Sequence, residues 1–373
     1  MAKNKIAIVE AQFLVNYYKP EEGVTVGGTQ RYVRQLGAVL KQIGFSVVFL
    51  TKSCKEVSFD FDNIGTVKTL SAPLGSRGNR TFSHKVYNYA KQVKADFVCY
   101  SDLQLAFWKC YEKNFALQHG IDWDGPYKKI TTKINNFIYL KAENKVSKII
   151  CVDTNYINWV RLHDKHYFDM PEKYVYIPNF AKCTDFPYQY FEWKKGDPAI
   201  LLYPRRMVKH RGFDMFINMC EKLYALGYRI KPVLAIEKEM REKALNIVKD
   251  CKCEYDIIHP QMDEMSKIYS RAFLTYVPTM WSEGTSLSAI ESICSGCPVL
   301  VTDVGGLGNI VIPDYNGDIL PYSVETFVCK TAELIDHPEI RNRWSHNCQN
   351  LRDAFDVKRW NKKVENIISN ISR

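Results

Sequence analysis

WSEGTSLSAIESICSGCPVLVTDVGG, residues 281–306 of the 373-residue chain, reads as a loop, a helix and a strand in that order. Gly284-Thr285-Ser286 forms a loop that opens a helix at about Leu287, and Val299–Thr302 is an apolar strand. A helix N-terminus presents unpaired backbone N–H groups and a partial positive charge. Phosphate binds there readily. Glu283 precedes the helix and Glu291 lies about one turn inside it. Ionised carboxylates only accept hydrogen bonds, so beside a diphosphate they suit the hydroxyls of a ribose or a sugar. The same spacing also fits a capping acid and a solvated helix acid.

Upstream of this stretch the strand–helix pattern repeats. Ile200–Tyr203, Lys231–Ala235, Tyr255–Ile258 and Phe273–Val277 are strands with helical patterns between them. The first half has the same rhythm, with strands at Ile6–Val9, Val47–Leu50, Phe97–Tyr100, Phe115–Gln118, Ile149–Val152 and Tyr174–Ile177. Between the first two, Tyr32, Val33, Leu36, Val39, Leu40 and Ile43 line one helical face, which Gly44 ends. Such alternation implies parallel sheets. Residues 180–198, FAKCTDFPYQYFEWKKGDP, lack periodicity and read as a linker. The expected architecture is α/β: two Rossmann-like, doubly wound domains, 1–182 and 195–354, facing each other across a cleft. The amphipathic helix within 355–373 either packs on the second domain or crosses back to complete the first. Ligands of open parallel sheets bind beyond the carboxyl ends of the strands.

Three further segments fall at such ends. In YPRRMVKHRGFDMF, residues 203–216, Arg205, Arg206, Lys209 and Arg211 crowd a strand terminus. That cluster is an anion clamp, since the guanidinium fork fits phosphate oxygens, or else a basic surface loop. Gly27-Gly28 precede a helix and allow close backbone approach to a ligand, or form a plain loop. They complete neither a dinucleotide-binding nor an ATPase fingerprint. His119 follows an apolar strand and can face the cleft or serve structure alone.

Composition narrows the class. The chain is 46% hydrophobic and 25% charged, as in ordinary globular proteins. The apolar run Ile6–Val9 is too short for a signal peptide, and no stretch reaches the about 18 apolar residues of a spanning helix. A cytoplasmic location is expected. The twelve cysteines include Cys251, Cys253, Cys294 and Cys297 as close pairs, but their spacing is not that of a zinc site. A net charge of +10 favours polyanionic partners. It leaves open a peripheral association with an anionic membrane. The basic residues are dispersed and form no recognised nucleic-acid module, so no stable nucleic-acid partner is expected.

Together these segments resemble family 4 of the retaining glycosyltransferases, which have the GT-B fold. The resemblance rests on the Gly-Gly loop, His119-Gly120, SKIICVDT at 147–154, YVYIPNF at 174–180, the Arg-x4-Arg-Gly loop, and Glu-x7-Glu running into GCPVLVTDVGG. It implies that Gly28 and Gly27 lie near the donor diphosphate, and that Arg206 and Arg211 neutralise that diphosphate as it leaves. It also implies that Glu283 holds the transferred sugar and Glu291 the ribose. Backbone N–H groups around Gly284, Thr285, Ser286 and Leu287 would complete the phosphate site, and His119 would contact the donor sugar. The family usually has lysine where Arg211 stands, an acid where Asn309 stands and often serine where Asp153 stands. Asp122 and Asp124 spell an Asp-x-Asp pair like the metal site of other glycosyltransferases, but in a different architecture, and two carboxylates rarely make a whole site.

The resemblance therefore implies retaining transfer of a sugar from a nucleotide sugar, UDP-linked by preference, to an acceptor hydroxyl. The arginines remove the need for a metal, so no cofactor beyond the co-substrate is expected. The acceptor stays open among a lipid-linked saccharide, a glycan, a protein and DNA. Rival readings are an epimerase or phosphorylase on the same fold and a non-catalytic nucleotide-sugar-binding protein.

Overall fold

The computed structural model describes residues 5–10, 28–54, 56–73, 76–121, 123 and 129–371. Two compact units emerge: Met1–Ile177 with Trp360–Arg373, and Pro178–Arg359.

In the first unit the chain runs β1 (Lys5–Glu10), α1 (Gly28–Gln42), β2 (Phe45–Ser53), β3 (Ser58–Phe61), β4 (Gly65–Ser71) and α2 (Asn79–Val93). It continues through β5 (Phe97–Tyr100), β6 (Asn114–Gln118), α3 (Lys129–Glu143), β7 (Ile149–Cys151), α4 (Thr154–His163) and β8 (Tyr174–Tyr176). The sheet order is β3-β4-β2-β1-β5-β6-β7-β8. Every pairing is parallel except β3 with β4, an antiparallel edge absent from the sequence-based expectation. The direction of strand addition reverses between β1 and β5. β5, β6 and β7 are buried throughout, as parallel strands covered on both faces must be. Helix α1 buries Tyr32, Val33, Leu36, Val39 and Leu40 on the face that its spacing predicts.

The second unit runs β9 (Ala199–Tyr203), α5 (Phe213–Ala225), β10 (Ile230–Ala235), α6 (Arg241–Val248), β11 (Asp256–Ile258), α7 (Met262–Tyr269) and β12 (Leu274–Val277). Then follow α8 (Leu287–Ser295), β13 (Val299–Thr302), β14 (Gly317–Leu320), α9 (Val324–Asp336) and α10 (Pro338–Phe355), before the last helix, α11 (Val357–Ile371). Its sheet is parallel throughout, in the order β11-β10-β9-β12-β13-β14, and reverses between β9 and β12. Two apolar clusters flank it, one around Phe216, Tyr276 and Trp344, the other around Ile290, Val301 and Cys348.

Residues 180–198 are not a free linker. Phe186 and Trp193 are buried in the second unit, and the Trp193 ring meets Phe273 edge-on at 4.7 Å. Buried Arg341 donates to the carbonyls of Ala272, Phe273 and Phe191, and Asn342 exchanges hydrogen bonds with the Trp193 backbone at 3.0 and 2.9 Å. Isolated aromatic anchors hold this coil without any periodic pattern. Helix α11 belongs to the first unit from Trp360 onward, with Trp360, Val364, Ile367 and Ile368 buried. The Trp360 ring meets Tyr32 edge-on at 4.9 Å, and Gln35 donates to Asn361 at 2.9 Å.

Candidate functional site

In the second unit three loops meet at the carboxyl ends of adjacent strands, at the reversal of the sheet. One follows β9, one links β12 to α8, and one follows β13. This is where open α/β sheets bind ligands.

Glu283 ties the three together. Its Oε2 accepts from Arg205 and from Arg211, and from the Thr279 hydroxyl at 3.0 Å. Arg211 also donates to the carbonyl of Ser282 at 3.2 Å, and Arg205 reaches the Ser286 hydroxyl at 3.4 Å. The Gly306 amide donates to the Glu283 carbonyl at 2.9 Å. Burial pushes the Glu283 carboxyl up, but the charges of Arg205 and Arg211 outweigh it and hold the group below the usual carboxylate range. Glu283 is therefore an anion whose charge two guanidiniums share.

Two glycines make this convergence sterically allowed. Gly212 has φ +78°, and a Cβ there would lie 1.9 Å from the Pro278 carbonyl oxygen. Gly305 has φ +56°, and a Cβ there would lie 1.9 Å from the Glu283 carbonyl oxygen. A side chain at either position would push one loop off the next.

The basic cluster thus divides. Arg205 and Arg211 are committed to Glu283. Arg206 is exposed, and among the described residues neither its guanidinium nor the Lys209 ammonium has a side-chain partner. The loop after β9 carries Arg205, Arg206, Lys209 and Arg211 and no acid, which suits it to a polyanion.

Helix α8 starts at Leu287, with Ser286 as its N-cap residue. Ser286 makes no side-chain cap bond to the helix, which leaves its first amides uncapped among the described residues and suited to an anion. Thr285 is buried, and its hydroxyl accepts from the Asn179 amide at 2.8 Å, which fixes the loop containing Gly284. The Ser288 hydroxyl donates to the Pro204 carbonyl at 3.0 Å, joining the helix start to the basic loop. Glu291 sits one turn in, buried, and accepts from the Tyr269 hydroxyl at 3.3 Å. The structure therefore gathers Arg211, Glu283, Gly284, Thr285, Ser286 and Leu287 in one network. It leaves Arg206 at the network's rim and sets Glu291 against α7. Sequence reading counted Arg205 in the basic cluster but assigned it no role, and it missed Thr279 entirely. Only the Arg205-Arg206 doublet carried any signal.

His119 belongs to the first unit. Its Nε2 lies 3.0 Å from the carbonyl of Ser101, whose amide donates to the Glu10 carbonyl at 3.0 Å. The ring meets Tyr32 edge-on at 5.2 Å. Burial lowers the imidazole to about 4, and the bond to Ser101 only partly opposes this, so His119 is neutral at pH 7. A carbonyl can only accept, so Nε2 carries the proton and Nδ1 keeps its lone pair. Gly28 is exposed and opens α1, while Gly27, Asp122 and Asp124 lie outside the described residues. Asp153 caps α4 by accepting from the Tyr156 amide at 3.0 Å, and Asn309 lies in a short turn after β13.

Residues 189–351 match the family described as glycosyl transferases group 1, and they include β9 to β14, α8 and the Glu283 network. This region is similar to group 1 glycosyltransferase domains. An uncharacterized glycosyltransferase of Methanocaldococcus jannaschii is 27% identical over 178 residues, 46% of this chain and 47% of that protein. The chain spans about half the length of the curated relatives it matches. Among solved structures, sucrose-phosphate synthase from Thermosynechococcus elongatus superposes with a TM-score of 0.78 over 99% of both chains at 16% identity. Anabaena HepE in complex with UDP-glucose gives 0.71 over 99% of this chain and 100% of the other, at 13% identity. Both likenesses extend beyond the group 1 domain into the first unit, and the fold is GT-B.

Proposed function

We propose that this protein is a retaining glycosyltransferase that moves a sugar from a nucleotide sugar, UDP-linked by preference, to an acceptor hydroxyl. The observation that carries this reading is the Glu283 network beside the open first turn of α8. One half-buried carboxylate is paired with two arginines while Arg206 and Lys209 keep their charge for an incoming anion.

The chemical difficulty of the transfer is negative charge building on the leaving diphosphate. Fixed cations and a helix N-terminus meet that charge without reorganising. Arg206 and Lys209 would take the diphosphate, the first amides of α8 would bind its oxygens, and Glu283 would accept hydroxyls of the sugar. Glu291 would hold the ribose. Neutral His119 would offer the Nδ1 lone pair to the sugar, which suits developing oxocarbenium character better than an imidazolium would. These cations supply the charge that a divalent metal supplies elsewhere, so the reaction is expected to need none. The choice of UDP draws support from HepE, which is solved with UDP-glucose. The acceptor is a lipid-linked saccharide, a glycan, a protein or DNA, met on the cytoplasmic side.

Calorimetric titration of UDP-, GDP- and ADP-sugars into the protein in EDTA tests the donor site. Micromolar binding of a UDP-sugar is expected, and no binding by any of the three sinks the reading. NMR of the product's anomeric proton tests retention. Labelled donor that epimerises or is phosphorolysed instead of being transferred would move the protein to the rival class.

A further inference from the structure

The first unit carries an apolar surface that the transfer reaction does not use. On α3, Ile130, Ile134 and Phe137 are 77%, 53% and 56% exposed. At about 100° per residue, spacings of four and three place them on one helical face. Lys141, four residues further, continues that face, and Lys133 borders it; both are exposed. Tyr139, Ala142 and Glu143 fill the opposite, buried face. Glu143 is the only acid in α3, so the outer face is cationic and apolar with no carboxylate.

The patch continues beyond the helix. The Phe137 ring lies 6.1 Å from Phe107, which lies 4.9 Å from Trp108, itself 44% exposed. Cations surround these rings: Arg80 stands over Trp108 at 5.8 Å, Lys141 over Phe137 at 5.9 Å and Lys145 over Phe107 at 5.6 Å. Lys145 also donates to the carbonyl of Trp108 at 3.2 Å, pinning the aromatic pair to the end of α3.

We propose that the outer face of α3, together with Trp108, docks the first unit on an anionic lipid bilayer. Aliphatic and aromatic side chains on a helix, flanked by basic residues alone, are what an interfacial helix needs: the apolar groups enter the acyl boundary while the cations meet the headgroups. Tryptophan favours that boundary. The uniform positive charge selects a negatively charged surface and disfavours a second copy of the same face, whose lysines would repel it. Among the described residues no helix is long and apolar enough to cross a membrane, so this docking is peripheral.

The test uses the full chain in a flotation assay with phosphatidylcholine vesicles and with equal parts phosphatidylglycerol and phosphatidylcholine. Binding is expected to the anionic vesicles, weak on the neutral ones, and reduced by salt. Ile134→Ser with Phe137→Ser should lower the partition constant roughly tenfold on anionic vesicles. Lys133→Ala with Lys141→Ala should lower it by a similar factor, roughly tenfold, there alone. All four side chains are exposed, so thermal unfolding should be unchanged; Ile130→Ser serves if the double variant proves unstable. Failure of the wild-type chain to float with anionic vesicles overturns the proposal. So does equal binding by the variants, or a concentration-dependent dimer in sedimentation equilibrium that Phe137→Ser abolishes.

Discussion

Arg211 and Glu283 form a partly buried ion pair in which the arginine holds the carboxylate and, at 3.2 Å, the carbonyl of the residue before it. The pair fixes both the side chain and the backbone of the loop leading into α8. Glu283→Ala would leave two guanidiniums facing each other; breaking a fully buried pair costs about 3–5 kcal/mol, and this partly buried one less. The variant should show a lowered Tm together with loss of donor binding in calorimetry. An unchanged Tm would mean that Glu283 does not hold the loops.

Arg206 should behave differently. With no side-chain partner among the described residues, Arg206→Ala should leave Tm unchanged. It should lower kcat/KM by roughly 100-fold, as loss of a transition-state donor does. Arg205→Ala should lower both, because Arg205 is bound to Glu283. Steady-state kinetics and thermal unfolding of the two variants, side by side, separate structural from chemical arginines. Equal Tm losses would erase the distinction.

That distinction shows where sequence reading stops. Most strands of both sheets, and their parallel class, were legible because buried parallel strands are short apolar runs with helical spacing between them. β3 and β4, with mixed polar and apolar residues at a sheet edge, and the four-residue β14 gave no comparable run. Trp193 and Phe186 were invisible as anchors because single aromatic contacts have no period. At the site, the Gly284-Thr285-Ser286 loop into α8 and the basic cluster were readable as an anion site. Which arginine of the doublet turns inward was not, because side-chain alternation ends with β9 at Tyr203.

Gly305 offers a backbone test of the same loops. Gly305→Ala would place a methyl 1.9 Å from the Glu283 carbonyl oxygen at φ +56°. The clash should move Glu283, with a cost on the order of 1–3 kcal/mol and at least a roughly tenfold drop in kcat/KM. Gly308→Ala has only a contact at 3.9 Å to accommodate and serves as the control. Similar losses in both variants would show that the close approach at Gly305 does not matter.

His119 predicts an acid-side loss of stability. Burial lowers its folded-state pKa from 6.5 to about 4, so the unfolded chain takes up a proton first as pH falls. The contribution is fully present above pH 6.5 and disappears as pH falls toward about 4. Allowing for partial exposure, it is on the order of 2 kcal/mol. His119→Gln should flatten unfolding free energy against pH in that window; an identical slope in wild type and variant would place the imidazole in solvent.

Glu143 predicts the opposite sign. It is fully buried, accepts from the Tyr174 hydroxyl and from Tyr156 at 3.3 Å, and burial raises its carboxyl to about 7 despite the Tyr174 bond. The folded state therefore binds a proton that the unfolded chain releases near 4.5. This contribution is complete below the unfolded value and is lost as pH rises through about 7. Glu143→Gln keeps the size of the side chain and removes the titration, and tyrosine hydroxyls can either donate to or accept from the amide. The variant should gain stability relative to wild type as pH rises from about 6 to about 8, by on the order of 1–2 kcal/mol. Chemical denaturation at the two pH values checks it, and a variant whose relative stability is the same at both would show that Glu143 titrates alike in the folded and unfolded chains.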